Sequence, residues 1–425
     1  MRSRATQWQA GECLEGAASG LAVPRRLVVG IPTRNEVATV GAVTATVDRG
    51  LSAAFPAAAS VIVNADNGSA DGTREAFRSV PTRARKIAID TGAGVTGKGS
   101  NVFAILEFAA SIDADAVCLI DGDLRSIEPH WVSALIDASL RTADATLVTP
   151  EYARSRYEAN TTNHVVVPYL HAAFGLDVRQ PIGGEFAMNA ALVDAALTWS
   201  RAESTHLYGI DVWLTVNTAL HRLRLEQVHL GRKMHSPTFP KIFQLGQQVL
   251  DALFRLMMEH RPAAPRVAGA GLSAHAHVEL CDGSPTPALI DPVVRRASDY
   301  VRMHWADLVD IFPALHGMPR PRRGHLPDLR TDVWCEILAQ AYAQLDADGF
   351  RRVRDHLVGL FPARVISWWH EIEGRSATQV DALLCRQNRR LAELFATRDL
   401  PDDPQRVGDP ALIAGPWAVT GASGR

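Results

Sequence analysis

Two aspartates separated by one glycine follow an apolar run, and their types and spacing suit the binding of a divalent cation. The run covers residues 117–120, and the aspartates are Asp121 and Asp123. Residues two apart in a strand point to the same side, so both carboxylates can approach one ligand where the strand ends. Oxygen donors of this kind favour Mg²⁺ or Mn²⁺, and such an ion can neutralise the charge on a departing diphosphate. Asp-Gly-Asp is also common in simple turns, so the other motifs must decide.

The composition indicates a protein with a substantial core and a small-molecule partner. The chain has 425 residues, 47% of them hydrophobic, which is enough for two domains. Its 44 basic and 46 acidic residues form no long run of one sign, so we expect no nucleic-acid partner. No stretch reaches the roughly 18 apolar residues of a membrane span, so we expect no integral membrane association. The cysteines are scattered without the spacing of a disulfide framework or a zinc site, and we expect a cytoplasmic protein.

The first half of the chain alternates short β-branched runs with amphipathic segments, which predicts an α/β fold with a mostly parallel, Rossmann-like sheet. The predicted strands are 27–31, 60–64, 86–89, a strand that ends at Asp121, and 146–148. Predicted helices begin after Asn35 and at Asp71, Gly99 and Pro129. Ligands of such sheets bind beyond the carboxyl ends of the strands, and polar clusters follow three of these predicted strands.

Helical periodicity replaces the strand pattern from about residue 244. The predicted helices there are 247–259, 292–311, 331–345, 363–373 and 377–396. We therefore predict a flexible tail over residues 1–24, an α/β catalytic domain over 25–245, a helical C-terminal domain over 246–400 and a second flexible tail over 401–425.

Lysine is scarce, so the position of each lysine is informative. The 44 basic residues include only four lysines, which are Lys86, Lys98, Lys233 and Lys241. Lys98 lies between two glycines, which let the backbone approach a phosphate closely while the ammonium supplies positive charge. We interpret Gly97-Lys98-Gly99 as a phosphate- or sugar-binding segment, although its spacing is not that of a Walker loop.

Seven motifs, taken in order, resemble those of the GT-A glycosyltransferases, and within them the mannosylglycerate synthases and glucosyl-3-phosphoglycerate synthases. They are Pro32 to Glu36, the Asp66 loop, Gly97 to Gly99, Asp121 to Asp123, Gln180 to Glu185, Tyr208 to Asp211, and Lys233 to His235. The resemblance implies a GT-A domain, a nucleotide-diphosphate sugar donor of the UDP-glucose or GDP-mannose class, and a Mg²⁺ or Mn²⁺ cofactor. It also implies transfer of a hexose, with retention, to a small hydroxy acid such as glycerate or 3-phosphoglycerate. A homodimer through the helical region is expected by analogy.

The resemblance implies a site for the nucleotide sugar that is spread over these motifs. The residues implied are Pro32, Thr33, Asn35, Glu36, Asp66, Gly97, Lys98, Asp121, Gly122, Gly183, Gly184 and Glu185. Glu36 is expected to accept hydrogen bonds from the base or ribose, and Glu185 to bind hydroxyls of the sugar. Two other interpretations stay open, because Asn35 suits a helix cap and Asp66 suits a turn.

The resemblance also implies the metal ligands and the catalytic residues. Asp123 is expected to bind the metal, and His235 to complete the protein ligands from a distant strand; histidine is a reasonable ligand for Mn²⁺. A structural role for His235 remains open. The implied catalytic residues are Lys98, Glu185 and Asp211, and Asp211 could instead cap a helix.

The expected acceptor-binding residues are Arg154, Thr162 and Asp211, and here the chain departs from the family. Glucosyl-3-phosphoglycerate synthases carry a Gly-Arg-x-Thr signature, and the corresponding residues are Ala159, Asn160, Thr161 and Thr162. The signature arginine is absent, although Arg154 or Arg156 can supply positive charge. A glycosyltransferase that uses another small-molecule or natural-product acceptor is therefore an alternative.

Enzymes and binding proteins of other classes are weaker alternatives. Haloacid-dehalogenase-like phosphohydrolases also place an Asp-x-Asp motif after an apolar strand and use the first aspartate as a nucleophile. That motif lies near the amino terminus with Thr or Val close behind, whereas Leu124 and Arg125 follow Asp123 here. A glycosidase needs one carboxylic acid as a general acid and a second carboxylate as a nucleophile or base, and the sequence shows no such pair apart from the Asp-Gly-Asp motif. A non-catalytic sugar-binding protein would leave the presence of both aspartates together with His235 unexplained.

Overall fold

The computed structural model describes residues 24–92, 97–235, 238–260, 286–346 and 349–397, and the backbone of 278–279. The predicted tails at 1–24 and 401–425 lie outside these residues, apart from Pro24. The strands are β1 (Arg26–Thr33), β2 (Ala59–Asp66), β3 (Arg85–Asp90), β4 (Ala116–Leu119), β5 (Thr146–Ser155), β6 (Phe186–Asn189), β7 (Arg224–Arg232) and β8 (Val278–Glu279). The five strands predicted from the sequence correspond to β1–β5.

Helices occupy the segments between the strands and most of the described chain after β7. The first seven are α1 (Val40–Ala54), α2 (Thr73–Ser79), α3 (Lys98–Ser111), α4 (Pro129–Ser139), α5 (Val167–Phe174), α6 (Ala190–Thr198) and α7 (Ile210–Leu220). The others are α8 (Ile242–Glu259), α9 (Pro287–Met303), α10 (Trp305–Ile311), α11 (Thr331–Ala343), α12 (Phe350–Ile372) and α13 (Ala377–Thr397). The predicted α/β class with a helical C-terminal region is confirmed.

The strands form one mixed, mostly parallel sheet in the order β3-β2-β1-β4-β6-β5-β7, and β8 pairs with the end of β5. Strands β1, β2, β3 and β4 are all parallel to one another, while β6 is antiparallel to both β4 and β5. The chain leaves β1 for β2 on one side and later returns to β4 on the other side. This reversal opens a crevice at the carboxyl ends of β1 and β4, where ligands of α/β sheets bind.

The sheet separates two apolar cores, because successive side chains of a strand point to opposite faces. Val28 and Val117 face one core, and their neighbours Val29 and Cys118 face the other. Helices α1 and α4 cover the second face, whereas α3 and the helices from α5 onward belong to the first core. The C-terminal helices therefore share a core with the sheet, and the predicted boundary at residues 245–246 falls inside α8.

The helical region differs from its predicted elements in two places. The predicted helix 292–311 is broken at His304 into α9 and α10. The predicted helix 363–373 is the end of α12, which begins at Phe350 and continues through Pro362. Pro362 is buried among the other helices, so packing outweighs the cost of the hydrogen bond that proline removes. Among the described residues, none of the helices has the length and apolar character needed to span a bilayer.

The crossing of α1 and α4 gives a test of this packing. A Cβ at Gly50 of α1 would lie 2.4 Å from the carbonyl oxygen of Pro129, so Gly50→Ala should lower the free energy of unfolding by about 1–3 kcal/mol. Gly41, in the same helix, is the control, because the nearest atom to its added Cβ is 3.7 Å away. Gly41→Ala should raise the free energy of unfolding by up to about 1 kcal/mol, since alanine favours helix. Urea unfolding measures both, and equal effects would contradict the described crossing.

Candidate active site

A cleft of about 180 Å³ lies at the carboxyl ends of β1 and β4, and most of the predicted site residues line it. The predicted residues that meet there are Glu36, Lys98, Asp121, Asp123, Arg154, Thr162, Gly183, Gly184, Asp211 and His235. They come from loops after β1, β4 and β7, from the end of β5 and the segment that follows it, from the loop before β6, and from the first turns of α3 and α7. The sheet thus brings together side chains that are more than one hundred residues apart in sequence.

The ammonium of Lys98 joins two carboxylates at the centre of the cleft. Its Nζ lies 2.9 Å from Oδ1 of Asp121 and 3.3 Å from Oδ2 of Asp211. Lys98 begins α3 and Asp211 lies in the first turn of α7, so this contact ties two helices to the end of β4. Asp211 is not the helix cap considered from the sequence, because Gly209 occupies that position.

Lys233 holds the other oxygen of Asp121. Its Nζ lies 3.5 Å from Oδ2 of Asp121, and it donates hydrogen bonds to Oε2 of Glu185 at 2.7 Å and to the carbonyl of Gly183 at 2.7 Å. The hydroxyl of Tyr152 donates to the same Glu185 carboxylate. Carboxylates and ammonium groups therefore alternate in one continuous series, which we call the charge ladder: Asp211, Lys98, Asp121, Lys233 and Glu185.

The pKa values of the ladder reflect the balance of burial and neighbouring charge. Burial opposes the charged form of Lys98, but Asp121 and Asp211 outweigh it and raise the pKa of the ammonium. Burial also opposes ionisation of Asp121, yet Lys98 and Lys233 hold its pKa well below the usual range. Burial raises the pKa of Glu185 and of Asp211 despite their lysine partners. Asp121 is therefore the carboxylate most strongly held in its charged form.

Asp123, two residues after Asp121, faces His235. Oδ2 of Asp123 lies 4.0 Å from Nδ1 of His235, and Nε2 of His235 lies 2.9 Å from Nη2 of Arg154. A guanidinium only donates, so Nε2 accepts this hydrogen bond. Nδ1, which faces Asp123, then carries the ring proton, so it can bind a cation only if that proton moves to Nε2 and the hydrogen bond from Arg154 is released.

The pair Asp123 and His235 fits a divalent cation. Ligand bonds to Mg²⁺ are about 2.0–2.1 Å, so one ion can reach two ligand atoms that are 4.0 Å apart. Within the described part of the chain, no group of three or more His, Cys, Asp or Glu side chains is arranged to hold a metal. The remaining ligands of an ion here would have to come from water or a substrate, as is usual for Mg²⁺.

Gly184 allows the loop before β6 to lie against the ladder. Its φ is +91°, a conformation that favours glycine, and an added Cβ would lie 2.1 Å from Oδ2 of Asp121. The loop therefore depends on a residue without a side chain at this position. The resulting close approach also places the carbonyl of Gly183 within reach of Lys233.

Glu36 lines the same cleft as the ladder residues Lys98, Asp121, Lys233 and Asp211. Burial, together with the charges of Asp123 and Asp121, raises its pKa to about 7, while Lys241 acts in the opposite direction. A carboxyl of this kind exchanges its proton near neutrality, so it can donate or accept a hydrogen bond to a bound hydroxyl.

Several residues predicted to bind the nucleotide have structural contacts away from the cleft. Both oxygens of Asp66 are occupied: Thr33 and Ser69 donate to them, and Arg74 lies 3.2 Å away. The turn interpretation of Asp66 thus matches the structure. Pro32 is buried in β1, and the backbone at Gly97 packs closely on residues 206–207.

Asn35 joins two loops instead of capping a helix. Its backbone N–H donates to Ser69 and its side-chain oxygen accepts from the N–H of Ala70, with φ at +58°. Helix α1 begins five residues later, after Thr39.

From the sequence, no role was assigned to Tyr208, Lys233 and Lys241, which line the cleft, or to Tyr152, whose hydroxyl donates to Glu185. Lys233 was noted only as a neighbour of His235, although the scarcity of lysine pointed to it. Three of the four lysines of the chain line the cleft, so that scarcity was the usable signal. Tyr208 belongs to one of the seven motifs, whereas Tyr152 carries no comparable signal in the sequence.

The structure is similar to solved structures of glucosyl-3-phosphoglycerate synthase from Mycobacterium tuberculosis. A complex with Mn²⁺, UDP and phosphoglyceric acid is 25% identical, covers 58% of this chain and 82% of that chain, and gives a TM-score of 0.46. A complex with Mg²⁺ and UDP covers 58% and 83% at the same identity and TM-score. A complex with Mn²⁺, UDP-glucose and phosphoglyceric acid gives 25% identity, coverage of 58% and 83%, and a TM-score of 0.45.

The resemblance inferred from the motifs is confirmed as a likeness to these structures. No protein-family model and no curated protein matches the sequence. At these TM-scores the likeness carries no weight for the activity of this chain. The function therefore has to follow from the side chains in its own cleft.

Lys233 gives a direct test of the charge ladder. Lys233→Met leaves Glu185 buried beside Asp121 without the ammonium between them, so the free energy of unfolding should fall by about 3–5 kcal/mol. The double variant Lys233→Met with Glu185→Gln should recover part of this loss, because it removes one of the two stranded charges. The exposed Lys241→Met is the control, with an expected change within about 0.5 kcal/mol. Chemical denaturation measures all three, and a Lys233 effect no larger than that of Lys241 would refute the ladder.

Proposed function

We propose that this protein is a metal-dependent glycosyltransferase that moves a hexose from a nucleotide-diphosphate sugar to a small hydroxy acid. The observation that carries the proposal is the unequal use of the two aspartates after β4. Asp121 is held by two lysines, whereas Asp123 faces His235 at 4.0 Å across a cleft at the carboxyl end of the sheet. A carboxylate and an imidazole thus face each other in the cleft that Lys98 also lines, and together they would hold the cation.

The donor would lie along the cleft with its diphosphate between the cation and Lys98. When bound by Asp123 and His235, Mg²⁺ or Mn²⁺ supplies positive charge for the leaving diphosphate. Lys98 is fixed by Asp121 and Asp211 before any substrate arrives, so its charge is already in position for the same task. Glu36 stands where its carboxyl can bind the ribose.

The sugar would lie against Gly183 and Gly184, where the backbone can approach it closely. Asp211 lies next to Lys98 and lines the same space, so it can face the reacting centre of the sugar or the acceptor. Glu185 lies at the end of the loop that carries Gly183 and Gly184. It is fully buried and is bound by Lys233 and Tyr152. We therefore infer that Glu185 acts by holding this loop, and that Asp211 is the carboxylate nearer to the chemistry. Retention of the anomeric configuration is inferred from the family resemblance.

The acceptor would lie beside Arg154 and the loop of residues 159–162. Arg154 supplies positive charge for a carboxylate, and Thr162 lines the same side of the cleft. Oδ1 of Asn160 is buried and has no hydrogen-bond partner among the described residues, which suits an acceptor hydroxyl. Glycerate fits these contacts better than 3-phosphoglycerate, because the signature arginine of the phosphoglycerate enzymes is absent.

The subunit arrangement and the cellular location are inferred from the sequence alone. A homodimer through the helical region and a cytoplasmic location stay predictions. The described cysteines, Cys118, Cys335 and Cys385, are all free thiols. Cys118 and Cys335 are buried, so they act as core residues in the two halves of the fold.

A turnover assay tests the proposed reaction. The purified protein is incubated with Mg²⁺ or Mn²⁺, a panel of UDP-, GDP- and ADP-hexoses, and either glycerate or 3-phosphoglycerate, and free nucleoside diphosphate is measured. We expect release that requires both the cation and the acceptor, because transfer consumes donor and acceptor together. Inorganic phosphate from simple phosphomonoesters would instead identify a phosphohydrolase. Binding of nucleotide sugar without release, or activity only with other acceptors, would refute hydroxy-acid transfer.

Asp123→Asn should reduce turnover by about 10²–10³-fold or more, because the cation loses its carboxylate ligand. The free energy of unfolding should hardly change, since Asp123 is not part of the ladder. Asp113→Asn, at a side chain that is 91% exposed and distant from the cleft, is the matched control and should leave turnover unchanged. Wild-type rates in the Asp123 variant would remove this residue from the metal site.

A further inference from the structure

The segment from Arg156 to His164 connects the end of β5 to α5, and its middle residues line the cleft. Ala159, Asn160, Thr161 and Thr162 all belong to the cleft wall. Residues 162–166 form a wide, π-helical turn, and such turns occur frequently at functional sites. We call residues 157–162 the cleft loop. Its role as the acceptor-binding wall rests on the function proposed above.

The helical region holds the beginning of this segment. Nη1 of Arg156 donates a hydrogen bond of 2.9 Å to the carbonyl of Arg375, which follows α12. Nε1 of Trp368, within α12, donates to the carbonyl of Arg156 at 3.4 Å. The chain is thus attached to α12 immediately before it enters the cleft loop.

Gln387 of α13 holds the other end. Its Nε2 donates to the carbonyl of Asn163 at 2.7 Å, and its Oε1 accepts from Nη2 of Arg364 at 3.1 Å. These two partners fix which end of the amide is oxygen, because a carbonyl only accepts and a guanidinium only donates. The same Oε1 lies 3.1 Å from Nδ1 of His164, so that nitrogen carries the proton.

The network is buried and anchored deep in the helical region. The side chains of Arg364, Gln387 and His164 are all completely buried. Arg364 is fixed in turn by Glu371, by Thr331 and by the carbonyl of Leu329. A second hydrogen bond reaches the segment directly, because Nε1 of Trp334 donates to the carbonyl of His164 at 2.7 Å.

These hydrogen bonds fix the position of the loop backbone more narrowly than apolar packing would. Apolar packing alone would hold α13 against the sheet domain without fixing the rotation or register of the loop. Hydrogen bonds to the carbonyls of Asn163 and His164 are directional, and removing one member of a buried network leaves its former partners unsatisfied. Thr162 directly precedes these two residues, so the network fixes the backbone that presents Thr162 to the cleft.

We propose that Gln387 and Arg364 are positioning residues for the cleft loop, through which the helical region sets the affinity for the acceptor. Neither side chain lines the cleft. They act through the backbone of residues 163–164, while Arg156 fixes the opposite end of the loop. The donor side of the cleft is held separately by the charge ladder, so the two substrates should respond differently to a break in this network.

Gln387→Met preserves the shape of the side chain and removes its hydrogen bonds. The acceptor KM should rise by about tenfold or more, since the loop loses its buried anchor. The affinity for nucleoside diphosphate with Mn²⁺, measured by calorimetric titration, should change less than about twofold. Asn388→Leu is the matched control, because Asn388 is an equally buried amide one position along α13 and makes none of these hydrogen bonds to residues 156–164. Its acceptor KM should stay within about twofold of wild type.

Arg156→Met breaks the other attachment at a half-buried site and provides an independent variant if Gln387→Met folds poorly. Hydrogen exchange of residues 157–163 should become faster in both variants, while exchange of residues 117–123 stays unchanged. Hydrogen exchange needs no turnover. It therefore tests whether the network holds the cleft loop even if the assay with hydroxy acids fails. Absence of turnover in the wild type would refute the proposed function alone.

Two results would overturn the inference. Unchanged exchange of residues 157–163 in both variants would show that the network does not hold the loop. An equal loss of affinity for nucleoside diphosphate and acceptor, with faster exchange throughout the chain, would show that Gln387 serves only general stability.

Discussion

The carboxylate of Asp121 lies between two ammonium groups, at 2.9 Å from Lys98 and 3.5 Å from Lys233. Two positive charges on one partly buried carboxylate keep it ionised and fix its orientation. Each lysine then reaches a second acid, Asp211 or Glu185, so the arrangement extends from α7 to the loop before β6. The neighbouring Asp123 faces Nδ1 of His235 at 4.0 Å.

The topology of the sheet makes this arrangement possible. Lys98 follows β3, Asp121 follows β4, and Lys233 follows β7, and these strands occupy distant positions in the sheet order. The loop carrying Gly184 completes the site because β6 runs antiparallel beside β4 and starts where β4 ends. One helical region closes the opposite wall, since the cleft loop is attached to α12 and α13. Donor and acceptor sides of the cleft are thus supported by different parts of the fold.

The sequence predicted those parts of the fold that depend on local patterns. The β-branched runs of β1 to β5 and the periodicity of α11 and α13 are local, and these elements were found. Strand β6 has only four residues and lies antiparallel, so no run of alternating residues announced it. The beginning of α12 was missed because a proline inside a helix is opposed by local preference and tolerated only through packing.

For the site, the sequence predicted which residues lie together in the cleft more fully than it predicted the contacts of each residue. Asp123 and His235 were predicted together from the family resemblance, and the structure places them face to face. Two interpretations of Asp66 were left open, nucleotide contact and a turn, and the structure shows contacts of Asp66 with its own loop. The pairing of Lys233 with Glu185 is a contact between residues 48 positions apart, which no local pattern encodes.

The central claim is that the two aspartates have different tasks, with Asp121 held by lysines and Asp123 binding the cation with His235. A crystal structure of the protein with Mn²⁺ and a nucleoside diphosphate, with anomalous diffraction from the metal, tests it most directly. We expect one manganese peak within bonding distance of Asp123 and His235, with the contacts of Asp121 to Lys98 and Lys233 retained. A peak bound to Asp121 in place of the lysines, or manganese bound without either Asp123 or His235, would contradict the claim.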